Sequence, residues 1–228
     1  MTEAFRCLAI ETATQNCSVA VCDGSLRSLR ETSQPGVQSR GLFRFIAEAL
    51  NEADLSLGDL DCIALGVGPG GFTGLRVGAA AAQSLAFGAD LPVCRISTLA
   101  TLAAGVARDH QVEFVAPCLD ARMGEAYLGL YRVASDGLLT ATRPDSLVDP
   151  ETFEIEADTL FFAAGPGWTA FPELARRHSN SLSGKDYTRL PSAADMFALA
   201  RFALRGGESV TAAQAQPNYV RDKVTSGP

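Results

Sequence analysis

Histidines and closely spaced metal ligands are scarce in this sequence. Its 228 residues include two histidines, His110 and His178, and no H-x-x-x-H or H-E-x-x-H pair occurs. The six cysteines are scattered singly, without a C-x-x-C pair. A structural zinc site, a zinc peptidase and a histidine-based triad therefore lack their ligands or their base. The cysteines are instead expected to be small buried residues in a reducing compartment.

Two further catalytic motifs are missing. The sequence has no G-x-S-x-G elbow for a serine nucleophile and no G-K-[ST] of a phosphate-binding P-loop. Without the first, a hydrolase of the elbow type loses its nucleophile, and without the second Walker chemistry is excluded. We therefore predict no catalytic residue and no metal ligand set in this chain.

Positive charge and long apolar runs are also in short supply. Nineteen basic against 26 acidic side chains leave a net charge of -7, which disfavours a chain that binds nucleic acid by itself. No basic segment followed by an apolar stretch opens the sequence, and the most apolar predicted helix, 75–87, is interrupted by Gln83 and Ser84. We expect neither a signal peptide nor a membrane span, and a cytoplasmic protein.

The composition is that of a globular protein, with 47% apolar and 20% charged residues. Apolar periodicity predicts the order βββαβαβα for the first half of the chain. The predicted strands are 5–10, 17–22, 26–30, 61–67 and a short one ending at 96, and the helices are 39–51, 75–87 and 98–108, opened by Ser39, Leu75 and Ser97.

The same order of motifs begins again after His110, which indicates an internal duplication. A strand that ends in an acidic residue, a strand that ends in Asp-Gly and a strand that runs into Gly-Pro-Gly occur in the same sequence in both halves. The corresponding positions are Glu11 and Asp120, Gly24 and Gly137, and Gly68-Pro69-Gly70 and Gly165-Pro166-Gly167. One more helix is expected at about 193–204, followed by a polar tail.

The glycine-rich turn after the fourth predicted strand matches G-x-G-x-x-G at Gly66, Gly68 and Gly71. A dinucleotide fingerprint belongs to the first strand of a βαβ unit, whereas three strands and a helix precede this turn, and Pro69 removes an amide. The dinucleotide interpretation is therefore rejected. Two others stay open: the loop binds a phosphate at the start of the next helix, or it packs closely against a neighbouring element.

The two acids at equivalent strand ends raise a second pair of alternatives. An approximate two-fold relation between the repeats would bring Glu11 and Asp120 to opposite walls of one cleft, as in a metal–nucleotide site. Alternatively, each acid forms only its own turn. The candidate residues of a degenerate nucleotide cleft are Glu11, Thr12, Thr14, Gly68, Gly70, Gly71 and Asp120.

Several longer motifs point to a family. AIETAT at 9–14, GVGPGGFTGLR at 66–76, ISTL at 96–99, LDARMGE at 119–125, GPGW at 165–168 and PNYVR at 217–221 closely resemble the bacterial TsaB (YeaZ) family. The resemblance covers essentially the whole chain. It implies an α/β, two-lobed actin-like ATPase (ribonuclease-H-like, ASKHA) fold with duplicated βββαβαβα-type lobes. The expected division is an N-terminal lobe at 1–108 completed by a helix at 193–206, a smaller lobe at 109–192 and a polar tail at 207–228.

The resemblance also implies a function. Members are non-catalytic subunits of the complex that forms N6-threonylcarbamoyladenosine beside the anticodon in tRNA; they bind and activate the catalytic paralogue TsaD, and an ATPase, TsaE, joins them. The expected partners are thus a TsaD-like protein, a TsaE-like ATPase, tRNA only through the complex, and a second copy when the chain is alone. The chain itself is expected to need no cofactor, although ATP or ADP could bind at the cleft or at a subunit interface.

The interface implied by the resemblance is the predicted helix pair of the first lobe. Its expected residues are Leu42, Phe43, Ile46, Leu50, Phe72, Leu75, Ala79, Ala82 and Ala86. The second helix is small on nearly every face, so it could equally be buried in its own lobe. A charge at Ala82 is expected to block the heterodimer and leave the monomer folded.

The sequence departs from the family pattern at two positions. Gln38 precedes Ser39 where relatives often carry histidine, and Glu11 stands where many have aspartate. The alternative function is an independent actin-like ATPase or small-molecule kinase, which the glycine turns and strand-end acids would suit and which ATP hydrolysis by the isolated chain would reveal.

Overall fold

The computed structural model describes residues 4–34, 41–155 and 160–220. The strands are β1 (Arg6–Glu11), β2 (Cys17–Asp23), β3 (Ser25–Thr32), β4 (Cys62–Gly66), β5 (Val93–Ile96), β6 (Phe114–Arg122), β7 (Glu125–Val133), β8 (Leu139–Val148), β9 (Phe161–Ala164) and β10 (Leu182–Asp186). The helices are α1 (Leu42–Ala53), α2 (Phe72–Ala89), α3 (Thr98–Asp109), α4 (Gly167–Ala170), α5 (Pro172–Arg177) and α6 (Phe197–Arg205). Short 3-10 turns occupy Leu57–Asp59, Ser179–Ser181, Ala193–Asp195 and Ala212–Gln214.

The strands form two five-stranded sheets with the same topology. The first has the order β3-β2-β1-β4-β5 and the second, read from its other edge, β8-β7-β6-β9-β10. In both sheets the first strand of the repeat pairs antiparallel with the second and parallel with the fourth. The two-lobed actin-like α/β fold expected from the sequence is therefore confirmed.

The turns that suggested a duplication have matching conformations. Gly24 and Gly137, which follow the paired aspartates, have φ of +72° and +80°. Gly68 and Gly165, which open the two Gly-Pro-Gly turns, both have φ of +100°, a region that favours glycine. Equivalent turn geometry at equivalent points of two sheets of one topology supports an origin by duplication.

The second repeat is not a full βββαβαβα copy. The described residues between β8 and β9, which exclude 156–159, contain no helix, whereas α1 occupies the corresponding place in the first repeat. Two short helices, α4 and α5, together correspond to the long helix α2. The expectation of two similar lobes is thus correct for the sheets and needs correction for the helices.

Helices cover both faces of the first sheet. The apolar stripe of α1, including Phe45 and Ala49, packs with α2 against Leu8 and Ile10 on one face. The other face packs against α6 and the preceding 3-10 turn, through Met196 and Ala200. Strands β1, β2 and β4 therefore bury side chains on both sides, as expected for a sheet enclosed by helices, whereas the edge strand β3 is largely exposed.

Helix α3 packs on the second sheet although it ends the first repeat. Leu99, Leu102 and Val106 lie in one cluster with Val115 and Phe162 of the second sheet. Ser97 accepts a hydrogen bond from the amide of Ala100 at 3.1 Å, so the predicted cap is confirmed. The expected N-terminal lobe at 1–108 therefore includes helix α3, although the apolar side chains of this helix pack against the second sheet. The division of the chain into lobes stays a prediction.

The segment that follows α6 packs against the rest of the chain. Val210 forms an antiparallel bridge with Val93, and Ala215 is fully buried against the first lobe. The polar tail predicted at 207–228 is therefore packed against the first lobe as far as Tyr219, whereas Val220 packs against the second lobe. Residues 221–228 lie outside the described residues. The predicted helix start at Ser39, and Gln38, also lie outside them. No helix in the described ranges is long and apolar enough to cross a membrane.

Candidate functional site

A cleft of about 710 Å³ separates the two lobes. Its walls come from the first turn and the glycine-rich loop of the first lobe, the β6–β7 turn of the second lobe, and the end of the described tail. Of the predicted cleft residues, those that line it are Thr12, Thr14, Gly70, Gly71 and Asp120. Glu11 and Gly68 do not line it.

The glycine-rich loop packs tightly against the end of β1. The amide of Gly71 donates to the carbonyl oxygen of Ala13 at 2.6 Å. A side chain at Gly70 would bring its Cβ within 2.3 Å of that oxygen, so only glycine fits. Close packing, one of the two interpretations of this loop, is thus observed. The Gly68–Pro69 peptide is cis.

Glu11 is buried beneath the cleft wall and does not face the opposite lobe. Its Oε1 accepts from the amide of Ala13 at 2.7 Å and its Oε2 accepts from the hydroxyl of Thr98 at 3.0 Å. Burial without a neighbouring positive charge raises the pKa of this carboxyl to about 7. Of the two alternatives, the one in which Glu11 faces Asp120 across the cleft is therefore not observed, and Glu11 forms its own turn.

Two threonines hold the first turn in place. The hydroxyl of Thr12 donates to the carbonyl of Gly74 at 2.8 Å and is buried against Gly78. The hydroxyl of Thr14 accepts from the amide of Asn16 at 3.2 Å. The Thr12 hydroxyl therefore ties the first turn to the start of α2, and the Thr14 hydroxyl takes part in a bond within the turn; both residues line the cleft.

Asp120 occupies the equivalent turn of the second lobe. Its Oδ1 accepts from the amide of Arg122 at 2.7 Å, and its Oδ2 lies 3.2 Å from the Arg122 guanidinium. Of the described residues that line the cleft, these two are the ones with charged side chains. In the part of the cleft that the structure describes, the negative charge of Asp120 and the positive charge of Arg122 thus neutralise each other.

The tail contributes cleft residues that the residue-by-residue analysis missed. Asn218, Tyr219 and Val220 line the cleft at its rim. The Tyr219 ring lies 6.0 Å from that of Phe72, and its hydroxyl accepts from Nε of Arg76 at 3.2 Å. In the sequence, only the family motif PNYVR marked these residues, because neither hydropathy nor residue spacing predicts where a tail segment packs.

Metal ligands do not converge in the described ranges. No group of three or more histidine, cysteine, aspartate or glutamate side chains there is arranged to hold an ion. The six cysteines are free and buried, as predicted. Burial raises the pKa of the Cys17 thiol to about 11.

The predicted interface residues of the helix pair divide into two sets. Seven lie in the core of this chain and contact its own sheet or loops: Leu42, Ile46, Leu50, Leu75, Ala79, Ala82 and Ala86. Phe43 and Phe72 are exposed, by 59% and 43%. The prediction that the seven buried residues contact a partner directly therefore needs correction, because their side chains face the interior of this chain.

Helices α1 and α2 pack on the same face of the first sheet, so their exposed residues lie on the same side of it. We define the outer face as eight of these residues, Phe43, Ala47, Phe72, Thr73, Arg76, Ala80, Ser84 and Phe87; the polar residues Arg44, Glu48, Asn51 and Glu52 of α1 are exposed as well. Phe87 is 84% exposed, the largest exposed fraction among the large apolar side chains of the described residues. Exposed phenylalanines together with small side chains on one side of a sheet favour a docking site.

Comparison with known proteins identifies the family. The family model described as "TsaD: tRNA N6-adenosine threonylcarbamoyltransferase" matches residues 38–225. A relative from Escherichia coli K12, named tRNA threonylcarbamoyladenosine biosynthesis protein TsaB, is 34% identical over 96% of this chain and 96% of its own length. The protein of the same name from Haemophilus influenzae is 36% identical over 96% of this chain and 94% of its own.

Solved structures agree. A Pseudomonas aeruginosa protein described as similar to the peptidase YEAZ superposes with a TM-score of 0.87 and 35% identity, over 95% of this chain and all of that chain. A second structure, YeaZ from the same species, has a TM-score of 0.84 and 34% identity, over 94% and 99% of the two chains. The chain therefore belongs to the TsaB (YeaZ) family.

Proposed function

We propose that this chain is a non-catalytic subunit of the complex that forms N6-threonylcarbamoyladenosine beside the tRNA anticodon, and that it binds and activates a TsaD-like catalytic paralogue. Membership of the TsaB family supports this proposal, since the relatives from Escherichia coli and Haemophilus influenzae carry the name of that biosynthetic pathway. A cytoplasmic location agrees with this role.

The observation that carries the proposal is the outer face of the helix pair. Phe43 and Phe87 expose 59% and 84% of their surface, a large cost in hydration for a chain that remains alone. Ala47, Ala80 and Ser84 are also exposed on these two helices, and their small side chains let a second pair of helices approach closely. The fitting partner is therefore another helix pair, that of the catalytic paralogue or of a second copy.

The cleft supports an accessory role for this chain over that of an independent ATPase. Asp120 and Arg122 neutralise each other, and the Glu11 carboxyl is bonded to Ala13 and Thr98 beneath the wall. Phosphate groups of a nucleotide would need additional positive charge or a metal. We propose that the chain requires no cofactor of its own and that ATP or ADP belongs to the assembled complex, with its TsaE-like ATPase. The net charge of -7 supports contact with tRNA through the partners.

The test is to express the chain with the TsaD-like protein of the same organism and to measure co-elution. Formation of threonylcarbamoyladenosine on unmodified tRNA is then assayed with and without this chain. The interface variant is Phe87→Glu, and the matched control is Phe202→Glu on α6, which is 55% exposed and lies on the other side of the first sheet.

We expect co-elution and a modification activity that requires both chains, lost in Phe87→Glu and retained in Phe202→Glu. Equal binding by both variants would remove the outer face from the proposal. Absence of a complex together with ATP hydrolysis by this chain alone would favour the independent ATPase or small-molecule kinase.

A further inference from the structure

The last described segment of the chain, residues 215–220, has no regular secondary structure and reaches the interlobe cleft at Asn218, Tyr219 and Val220. Its first residue, Ala215, is fully buried in the core of the first lobe. Two side chains of that lobe donate to its backbone: Nε2 of Gln83 to the carbonyl of Ala215 at 3.1 Å, and Nε of Arg95 to the carbonyl of Gln216 at 3.2 Å. The segment is therefore held by groups from α2 and β5.

The middle of the segment closes over the glycine-rich loop. The amide of Asn218 donates to the carbonyl of Val67 at 2.8 Å, directly before that loop. A Cβ at Gly68 would lie 3.3 Å from the carbonyl oxygen of Asn218, so the two backbones are in close contact. Tyr219 continues along the start of α2, where the guanidinium of Arg76 lies 3.7 Å from the centre of the Phe72 ring.

The end of the segment belongs to the other lobe. Val220 packs against the apolar cluster that contains Leu119 and Tyr127 of the second sheet and Leu102 of α3. Six consecutive residues thus contact both walls of the cleft. The chain otherwise passes between the lobes through the link from β5 to α3 and the link from β10 to α6.

We propose that residues 215–220 are a strap that fixes the separation of the two lobes, and with it the width of the cleft, by binding the first lobe through residues 215–219 and the second through Val220. The strap also joins the cleft to the outer face, because Tyr219 contacts Phe72 and Arg76. The proposal concerns the isolated chain and does not depend on the proposed function.

The experiment compares interlobe distances in the purified full chain and in strap variants. Spin labels are attached to cysteines introduced at exposed positions, Arg205 on α6 and Asn180 in the second lobe. The native cysteines are buried, which favours labelling of the introduced ones. A chain that ends after Gln214 loses the strap, and a chain that ends after Val220 is its matched control.

Two full-length variants keep the test independent of truncation. Val220→Asp places a charge in the second-lobe cluster and disrupts only the contact of the strap with the second lobe. Tyr219→Phe removes one hydroxyl and keeps the ring contact with Phe72. Hydrogen exchange of the Thr98 amide, which donates to the Gly68 carbonyl at 2.9 Å, reports the loop beneath the strap.

We expect a broader interlobe distance distribution in the Gln214-terminated chain and in Val220→Asp, and an unchanged one in the Val220-terminated chain and in Tyr219→Phe. In the Gln214-terminated chain, exchange at Thr98 should accelerate about tenfold, the factor expected for one or two lost hydrogen bonds. A full-length Val220→Asp protein that is folded by circular dichroism and keeps the parent distribution would overturn the proposal, whatever the truncation does.

Discussion

Glu11 and Asp120 make the same bond at equivalent points of the two lobes. Each carboxylate accepts from the amide two residues further along, Ala13 and Arg122 respectively, at 2.7 Å in both cases. Their surroundings differ, because Glu11 is buried and Asp120 is partly exposed beside Arg122. The duplication has therefore preserved a turn, while the two acids are placed in very different solvent environments.

The burial of Glu11 predicts a pH-dependent stability. The pKa of this carboxyl rises from 4.5 in the unfolded chain to about 7 in the folded one, so the folded state binds more protons between these values. This contribution to stability is fully present below pH 4.5 and is lost as pH rises to 7. Glu11→Gln resembles the protonated acid and does not titrate. Its free energy of unfolding, compared with that of the parent, should therefore increase by about 3 kcal/mol as the pH rises from 4 to 8.

Urea unfolding of both proteins at several pH values measures this difference. Glu151→Gln is the control, because it makes the same change of side chain at an exposed position. A constant difference between Glu11→Gln and the parent from pH 4 to pH 8 would show that Glu11 does not titrate differently on folding.

Glycines of helix α2 predict opposite effects of one substitution. At Gly78 a Cβ would lie 2.3 Å from the hydroxyl oxygen of Thr12, which is fixed by its bond to Gly74. Gly88, in the last turn of the same helix, has no atom within 4 Å of a Cβ. Gly78→Ala should therefore destabilise the protein by about 1–3 kcal/mol, and Gly88→Ala should stabilise it by about 0.5 kcal/mol. Thermal unfolding of both variants tests this, and equal effects would contradict the close approach of α2 to the first turn.

Two alanines of the same helix separate folding from binding. Ala82 is fully buried, so Ala82→Glu should destabilise the chain by more than about 3 kcal/mol, and the expectation of a folded monomer with this substitution needs correction. Ala80 is exposed on the outer face, so Ala80→Glu should unfold like the parent. If the proposed interface is right, Ala80→Glu also loses co-elution with the TsaD-like protein. A folded Ala80→Glu that still co-elutes would exclude this part of the outer face.

The sequence predicted the strands and turns well for physical reasons. Continuous apolar runs are expected of strands covered on both faces, and Asp-Gly and Gly-Pro-Gly mark turns that require a positive φ. Gly68 and Gly165, which open the two Gly-Pro-Gly turns, have the same φ of +100°, so this short sequence pattern correctly indicated a shared backbone geometry. The order of the first repeat follows from these signals.

The orientation of α2 could not be predicted in the same way. A helix made mostly of alanine and glycine has little contrast between its faces, so periodicity does not show that Ala82 points inward and Ala80 outward. The position of Glu11 depends on Gly66 of the neighbouring strand, since a Cβ there would lie 2.3 Å from the carboxylate. The strap is held largely through its backbone carbonyl and amide groups, which every sequence has, so no residue type indicates it.

The two histidines provide a last, matched prediction. His178 is buried, with Nδ1 2.9 Å from the carbonyl of Leu174, while its Nε2 accepts from the amide of Ile155 at 2.9 Å. Because Nε2 accepts this bond, Nδ1 is the ring nitrogen that donates to the carbonyl of Leu174. His178→Phe keeps a ring beside Trp168 and leaves the Ile155 amide without its acceptor, which should cost about 1–3 kcal/mol.

His110 is exposed and stacks on Phe162 at 4.8 Å, so His110→Phe should change stability by less than about 0.5 kcal/mol. Urea unfolding of the two variants at pH 7.5 measures both values, and similar losses would mean that ring packing matters more at His178 than its hydrogen bonds.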